Sequence, residues 1–104
     1  MKSGSVKKEP TPCPITTVAR LLSDTWTMLI MHTFIQGPAD ATLRFCELER
    51  ALPGISTRTL TNKLKLIEAE GLITKTDAGY QATKKGLGIK VIEDAMRDYE
   101  KKYL

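Results

Sequence analysis

One short segment of the sequence carries hydroxyl, amide and basic side chains at positions that a single face of a helix would share. Arg58, Asn62 and Lys65 follow an i, i+4, i+7 spacing, and Leu60 and Leu64 between them would face the protein interior. An arginine can pair with guanine, an asparagine with adenine, and a lysine can neutralise a phosphate. This pattern is typical of a helix whose N-terminal part enters the major groove of DNA.

The side chains predicted to contact DNA lie in this helix and in the segment after it. They are Ser56, Thr57, Arg58, Thr59, Thr61, Asn62, Lys63, Lys65 and Lys75. The 104 residues include 16 Lys and Arg against 12 Asp and Glu, a net charge of +4, and an excess of three positive charges falls within residues 56–86. A mixed surface of this kind is more often a solvated helix face, so charge alone does not indicate DNA binding.

The elements around this helix supply a second signal. A proline–glycine turn precedes it, Ser56 can cap its first turn, and Gly71 can end it in the left-handed conformation. Two β-like runs, residues 72–76 and 80–82, follow with a glycine in the connection and predict a tight hairpin. Helix, turn, helix and hairpin together favour DNA binding over a solvated face.

Helices are also predicted on both sides of this unit. Pro14 can begin one, Asp24 can cap a second, and Thr83 can cap a last helix that runs to the C-terminus. The order helix, helix, short helix, helix, hairpin, helix predicts a mainly α winged helix-turn-helix with a short two-stranded wing. A short strand at Leu43 is a further interpretation. The sequence does not indicate a function for the loop at 38–42.

The chain from Cys13 to the last helix resembles a known family, most specifically in its middle segment. The resemblance is carried by the runs CPITTVARLLSDTWTMLIMHTF, RFCELERALPGISTRTLTNKLKLIEAEGLI and YQATKKG. In this pattern the chain is similar to the HxlR-type family of bacterial winged-helix transcription regulators. The resemblance implies a homodimer on a near-palindromic double-stranded DNA operator, which activates or represses nearby genes.

The resemblance further implies that the first and last helices pair two copies of the chain. The residues expected in that interface are Val18, Leu22, Val91, Ala95 and Tyr99. The sequence agrees, because the last helix extends an apolar edge beyond what a small globule could cover, and a two-fold interface would bury it. Residues 13–104 are therefore predicted to form one DNA-binding and dimerisation domain, after a flexible tail of residues 1–12.

Cys13 is a candidate redox sensor. It precedes the first helix, where backbone N–H groups and the helix dipole favour a thiolate. In the resembled family some members sense oxidants or electrophiles through a cysteine at this place and others do not. An inert thiol is the alternative. Cys46 is more simply a packing residue.

Other features exclude several classes of function. Two cysteines without Cys-x-x-Cys spacing make neither a disulfide framework nor a zinc site. The single histidine, His32, stands on an apolar helix with no nucleophile or paired carboxylates around it, so it is interpreted as a core or interface residue. No apolar run approaches the ~20 residues of a membrane span. The sequence predicts a cytoplasmic non-enzyme with no metal, cofactor or membrane partner.

A second function stays open on the sequence alone. Compared with the resembled family the wing is short, and Lys75 is the only basic residue left near its tip. A winged helix can also serve as a protein-interaction module without specific DNA binding. Salt dependence of duplex binding separates the two, because contacts to phosphates release counterions.

Overall fold

The computed structural model describes residues 13–104, and the expected tail of residues 1–12 lies outside them. The described part is mainly helical with one small sheet. Its elements are α1 (Pro14–Leu21), α2 (Thr25–Gln36), β1 (Thr42–Leu43), α3 (Phe45–Ala51), α4 (Thr57–Ala69), β2 (Ile73–Thr76), β3 (Gly79–Ala82), α5 (Lys84–Leu87) and α6 (Lys90–Tyr103).

The core lies where α2, α3, α4 and the sheet meet. Its buried side chains are Ile30, Met31, Phe34, Leu48, Leu52, Leu60, Leu64, Ile67, Leu72, Ile73 and Ile89. The helical spacing of 60, 64 and 67 in α4 accounts for its buried stripe. The core therefore fixes which face of α4 remains exposed.

Local signals set both ends of α4. Ser56 Oγ accepts the backbone N–H of Thr59 at 3.0 Å, which confirms the predicted cap. At the other end Gly71 has φ +80°, and the Leu72 N–H donates to the Ile67 carbonyl at 3.1 Å. This is the expected left-handed stop, so the helix begins and ends where the sequence predicts.

The predicted two-stranded wing is present as β2 and β3, and the short strand interpreted at Leu43 is confirmed as β1, which completes a three-stranded sheet. Its order is β1-β3-β2, and both pairs are antiparallel, with Thr42 opposite Gln81. The Gln81 side-chain amide also donates to the Asp40 carbonyl at 3.2 Å. This hydrogen bond holds the loop at 38–42 against β3, next to the paired strand β1. Gly79 makes the pairing of β1 with β3 possible, because a Cβ there would lie 2.6 Å from the Leu43 carbonyl oxygen.

The last helix is two helices rather than one. The predicted cap at Thr83 is present, since its Oγ1 accepts the Gly86 N–H at 3.1 Å. The α-helical ladder then breaks at 88–89, where Ile89 N–H donates to the Gly86 carbonyl at 3.1 Å, a spacing of three residues. Gly86 packs so closely that an added Cβ would lie 2.1 Å from the Leu72 carbonyl oxygen.

In the described part of the chain no helix has the length and apolar character needed to cross a membrane.

Candidate nucleic-acid interface

Helices α3 and α4 are joined by a tight turn that fixes their relative position. Gly54 in this turn has φ +90°, a conformation that side-chain-bearing residues rarely adopt. Next to it, the Thr57 hydroxyl donates to the Glu49 carboxylate, which fastens the first turn of α4 to α3. The two helices therefore form one helix-turn-helix unit.

The exposed face of α4 carries three side chains that make no hydrogen bond or ion pair within residues 13–104. They are Arg58, Asn62 and Lys65, and all three are exposed. The opposite face, with Leu60 and Leu64, is fully buried. Guanidinium, amide and ammonium groups thus project together from one side of the helix, where each can meet an external partner.

The remaining residues predicted in α4 are engaged inside the molecule. Ser56 and Thr59 share the cap, with their two hydroxyl oxygens 2.9 Å apart. Thr61 Oγ1 donates to the Thr57 carbonyl at 2.8 Å. These groups shape the first turns of α4, and the exposed Ser56 and Thr57 stay at its edge.

Lys63 points away from the exposed face, toward α2. Its Nζ lies 3.3 Å from Asp24 Oδ2. Partial burial alone raises the pKa of Asp24, but the backbone N–H of Thr27 and the Lys63 ammonium stabilise the carboxylate and hold its pKa below the ordinary value. We therefore assign Lys63 to the joint between α2 and α4 and leave it out of the candidate interface.

The wing adds one basic residue beside this unit. Lys75 on β2 is exposed, and its Nζ lies 6.0 Å from the centre of the Tyr80 ring on β3. This distance is at the limit of a cation–π contact. The ammonium of Lys75 therefore lies on the side of the wing where Tyr80 stands on the neighbouring strand.

The predicted dimer residues lie on α1 and α6. Val18 is 40% exposed, Val91 74% and Tyr99 59%; Ala95 is exposed and Leu22 half-buried. Two of them, Val18 and Leu22, line a groove of about 640 Å³ that runs between the two helices, whereas Val91, Ala95 and Tyr99 are not among its lining residues. Its lining is Pro14, Ile15, Val18, Ala19, Leu22, Ile92 and Met96. The interface prediction did not include Ile15, Ile92 and Met96, although their spacing to Val18 and Tyr99 carries the same helical signal.

Cys13 stands at the end of this groove, directly before α1. It is exposed, and the backbone N–H groups of Thr16 and Ile15 lower the pKa of its thiol. Stabilisation of the thiolate by amides at a helix N-terminus is the physical cause that the sequence predicts.

Cys46 is also exposed, on α3, so it is not a core packing residue. Among residues 13–104 no three His, Cys, Asp or Glu side chains come together in a way that could hold a metal ion.

Comparison with known proteins agrees with this architecture. The model of the HxlR-like helix-turn-helix family matches residues 21–104. An HTH-type transcriptional regulator of Methanothermobacter thermautotrophicus is 30% identical over 98 residues, covering 88% of this chain and 72% of the relative. Another from Synechocystis is 38% identical over 63 residues, covering 61% of this chain and 44% of the relative. The chain thus spans less than half the length of that second relative.

A solved structure shows the same fold. The quinone-bound YodB from B. subtilis has a TM-score of 0.79 at 26% identity, over 88% of this chain and 100% of that one. The two sequence relatives are named as regulators and not as enzymes. Since the family match extends from the end of α1 through α6, the resemblance seen in the sequence is confirmed, and the chain belongs to the HxlR-like helix-turn-helix family of transcriptional regulators.

Proposed function

We propose that this chain is a homodimeric, sequence-specific DNA-binding regulator that inserts α4 into the major groove. The observation that carries the proposal is the exposed row of Arg58, Asn62 and Lys65, none of which has an ion-pair or hydrogen-bond partner in the described part of the chain. Arg58 and Asn62 lie in the N-terminal half of α4, where their side chains can reach base edges, and Lys65 follows one turn later, where it can meet a phosphate. Because operator DNA is the partner, a cytoplasmic location is proposed as well.

A second copy of the chain is the proposed occupant of the groove between α1 and α6. Helix α1 buries no residue in its own chain, and α6 buries only Glu93. Yet both present apolar side chains to the same groove. A short amphipathic helix without tertiary packing is marginal in water, so α1 needs a cover to be stable. A two-fold contact would cover the same groove in both copies.

The dimer sets the form of the operator. Two copies related by a two-fold axis present two α4 helices to successive major grooves, about 34–36 Å apart. The matching DNA has two half-sites in inverted order. Residues 13–104 would then act as a single unit for dimerisation and DNA binding.

Cys13 is the proposed site of a thiol response. Its lowered pKa increases the thiolate fraction, and Pro14 and Ile15 beside it line the apolar groove. YodB has been solved with a quinone bound, and a quinone is an electrophile that a thiolate can attack. In that addition the sulfur forms a bond to a ring carbon, the ring double bond opens, and the ring oxygen takes a proton from solvent. The adduct would lie at the dimer interface, where it changes operator affinity.

Footprinting tests the DNA-binding proposal. The full chain is bound to the duplex upstream of its own gene and to a scrambled duplex of equal length, across a series of salt concentrations. We expect a protected site with two inverted half-sites and a steep loss of affinity with salt, in which each contacted phosphate adds ~0.9 to the downward slope of log K against log salt. A folded protein with no preference between the two duplexes would contradict the proposal and favour a protein-interaction module.

The thiol response has its own experiment. Operator affinity of the wild type and of Cys13→Ser is measured before and after treatment with a small quinone. The wild type should change affinity and Cys13→Ser should not, with Cys46→Ser as the matched control that still responds. An equal response in the wild type and in Cys13→Ser would remove Cys13 from this role.

A further inference from the structure

We propose that a polar groove between α3 and the wing binds a phosphate of the DNA backbone through Arg44 and Arg50. This proposal rests on the proposed function, and it names a contact outside the recognition helix. The sequence does not assign either arginine to DNA, because Arg44 precedes a short helix and Arg50 stands near its end. The fold brings their side chains into the same groove.

The groove has a volume of about 410 Å³ and opens to solvent beside the wing turn. Its lining is Thr42, Arg44, Cys46, Glu47, Arg50 and Ala78. Arg50 Nη2 lies 3.9 Å from the Cys46 sulfur. The three segments that meet here are β1, α3 and the β2–β3 turn, so the groove exists only because β1 joins the wing sheet.

Both guanidinium groups stay without a carboxylate partner among the described residues. The nearest acidic groups serve the backbone and the helix joint instead. Glu47 Oε1 accepts the Arg44 backbone N–H at 2.8 Å, and the Glu49 carboxylate accepts the Thr57 hydroxyl. A guanidinium presents N–H donors in a planar fork that matches two phosphate oxygens, which makes phosphate the ligand that this pair suits best.

The position of the polar groove relative to α4 indicates that the phosphate belongs to DNA. In helix-turn-helix proteins the second helix enters the major groove while the first crosses the sugar–phosphate backbone. Here the hydrogen bond between Thr57 and Glu49 holds α3 and α4 together. With α4 in the major groove of DNA, α3 and its two arginines would therefore lie along the adjacent DNA strand.

Salt dependence measures the contact. Arg44→Ala, Arg50→Ala and the control Lys90→Ala, an exposed cation on α6, are compared with the wild type on operator and scrambled duplex. Each α3 variant should lower the slope of log K against log salt by up to ~0.9, the contribution of one phosphate, so that its loss of affinity between about 50 and 200 mM salt is up to about 3.5-fold smaller. Both duplexes should weaken by the same factor, because a phosphate contact carries no sequence information.

The outcomes separate this proposal from the one on which it rests. An unchanged slope in both α3 variants, with operator preference intact in the wild type, would overturn the groove proposal alone. A wild type with no operator preference would overturn the proposed function and this contact with it. A loss of preference for one base pair in Arg44→Ala would also contradict a phosphate contact, since it would mean that this side chain reads a base.

Cys46 provides a chemical readout of the same contact, because its thiol lines the groove. In Cys13→Ser, which removes the thiol proposed to alter operator affinity, Cys46 is alkylated with a maleimide with operator duplex and without it, and the rate is followed by peptide mass mapping. DNA should slow the reaction at Cys46 at least severalfold, and high salt should restore it. An unchanged rate at Cys46 on saturating duplex would contradict the proposal.

Discussion

His32 Nδ1 lies 3.0 Å from Glu93 Oε1, and this contact joins α2 to α6. The Glu93 side chain is only 7% exposed, so the carboxylate is removed from water on the side that faces the core. A carboxylate only accepts, and His32 therefore donates through Nδ1–H. The guanidinium of Arg97 is a second neighbour of Glu93, with Nη2 at 3.8 Å from the same oxygen. The helix that carries the proposed dimer face is thus tied to the core by a polar contact.

Removing the histidine should destabilise the protein because it leaves the buried carboxylate without its closest donor. We expect His32→Leu to lower the free energy of unfolding by about 1 to 2 kcal/mol, with Arg97 compensating for part of the loss. The double variant His32→Leu/Glu93→Leu should recover most of that difference. Urea denaturation at neutral pH measures the free energy of unfolding of the wild type and of both variants.

The matched control is the Lys90–Asp94 pair on the same helix. Its N···O distance is also 3.0 Å, but both side chains are more than half exposed. Lys90→Ala should therefore cost no more than about 0.5 kcal/mol. If His32→Leu costs no more than Lys90→Ala, the His32–Glu93 contact does not hold α6 to the core.

Local signals in the sequence were sufficient to predict the helix-turn-helix. The cap at Ser56, the stop at Gly71 and the stripe of leucines in α4 depend on residues within a few positions of one another. The face that carries Arg58, Asn62 and Lys65 follows from the same stripe, because burial of one side of a helix exposes the other.

Contacts between distant segments could not be predicted in this way. The His32–Glu93 contact spans 61 residues, and Lys63 meets Asp24 only because α4 packs on α2. The pairing of β1 with β3 joins Leu43 to Tyr80, and it needs Gly79 to leave room for the Leu43 carbonyl. Each depends on how separate elements pack, which helical and strand periodicity do not encode.

Substitutions on the exposed face of α4 should show which side chain recognises a base and which binds a phosphate. Arg58→Ala should lower operator affinity by ~1–3 kcal/mol and relax the preference at one base pair, because its guanidinium can pair with guanine. Lys65→Ala should weaken all duplexes alike and reduce the salt slope by ~1. Competition binding against single-base operator variants gives both quantities, with Lys90→Ala as a cationic control outside the face. A uniform loss in Arg58→Ala would contradict base recognition by this side chain.

A charge in the groove between α1 and α6 should prevent dimerisation. Val18→Lys places an ammonium in the groove lining, where a second copy would have to bury it. We expect the mass in solution, measured by light scattering, to fall to that of one 11.6 kDa chain. Operator affinity should fall with it, because each half-site is then bound alone.

Thr17→Lys is the matched control for this variant. It adds the same charge to the same helix, but Thr17 does not line the groove. It should leave the dimer intact. A wild type that already has the mass of one chain at the same concentration would contradict the dimer itself.

The Asp24–Lys63 contact should make stability depend on pH in the acid range. The pKa of Asp24 is lowered in the folded state, so its contribution is present above the unfolded value of ~3.9 and is lost as pH falls through the folded pKa. Asp24→Asn keeps a side chain that can cap α2 but removes the charge.

We therefore expect Asp24→Asn to be less stable than the wild type near neutral pH. The difference should stay below about 1 kcal/mol, because the Asp24 side chain is 38% exposed and solvent screens the pair. It should shrink as the pH falls below ~3.9 and through the lowered pKa of the folded state, where the wild-type carboxylate also becomes neutral. In a Lys63→Met background the same substitution should cost less, since the ammonium that stabilises the carboxylate is gone. Urea denaturation across this pH range measures both effects, and a cost of Asp24→Asn that is independent of pH would show that the cap, and not the charge, accounts for it.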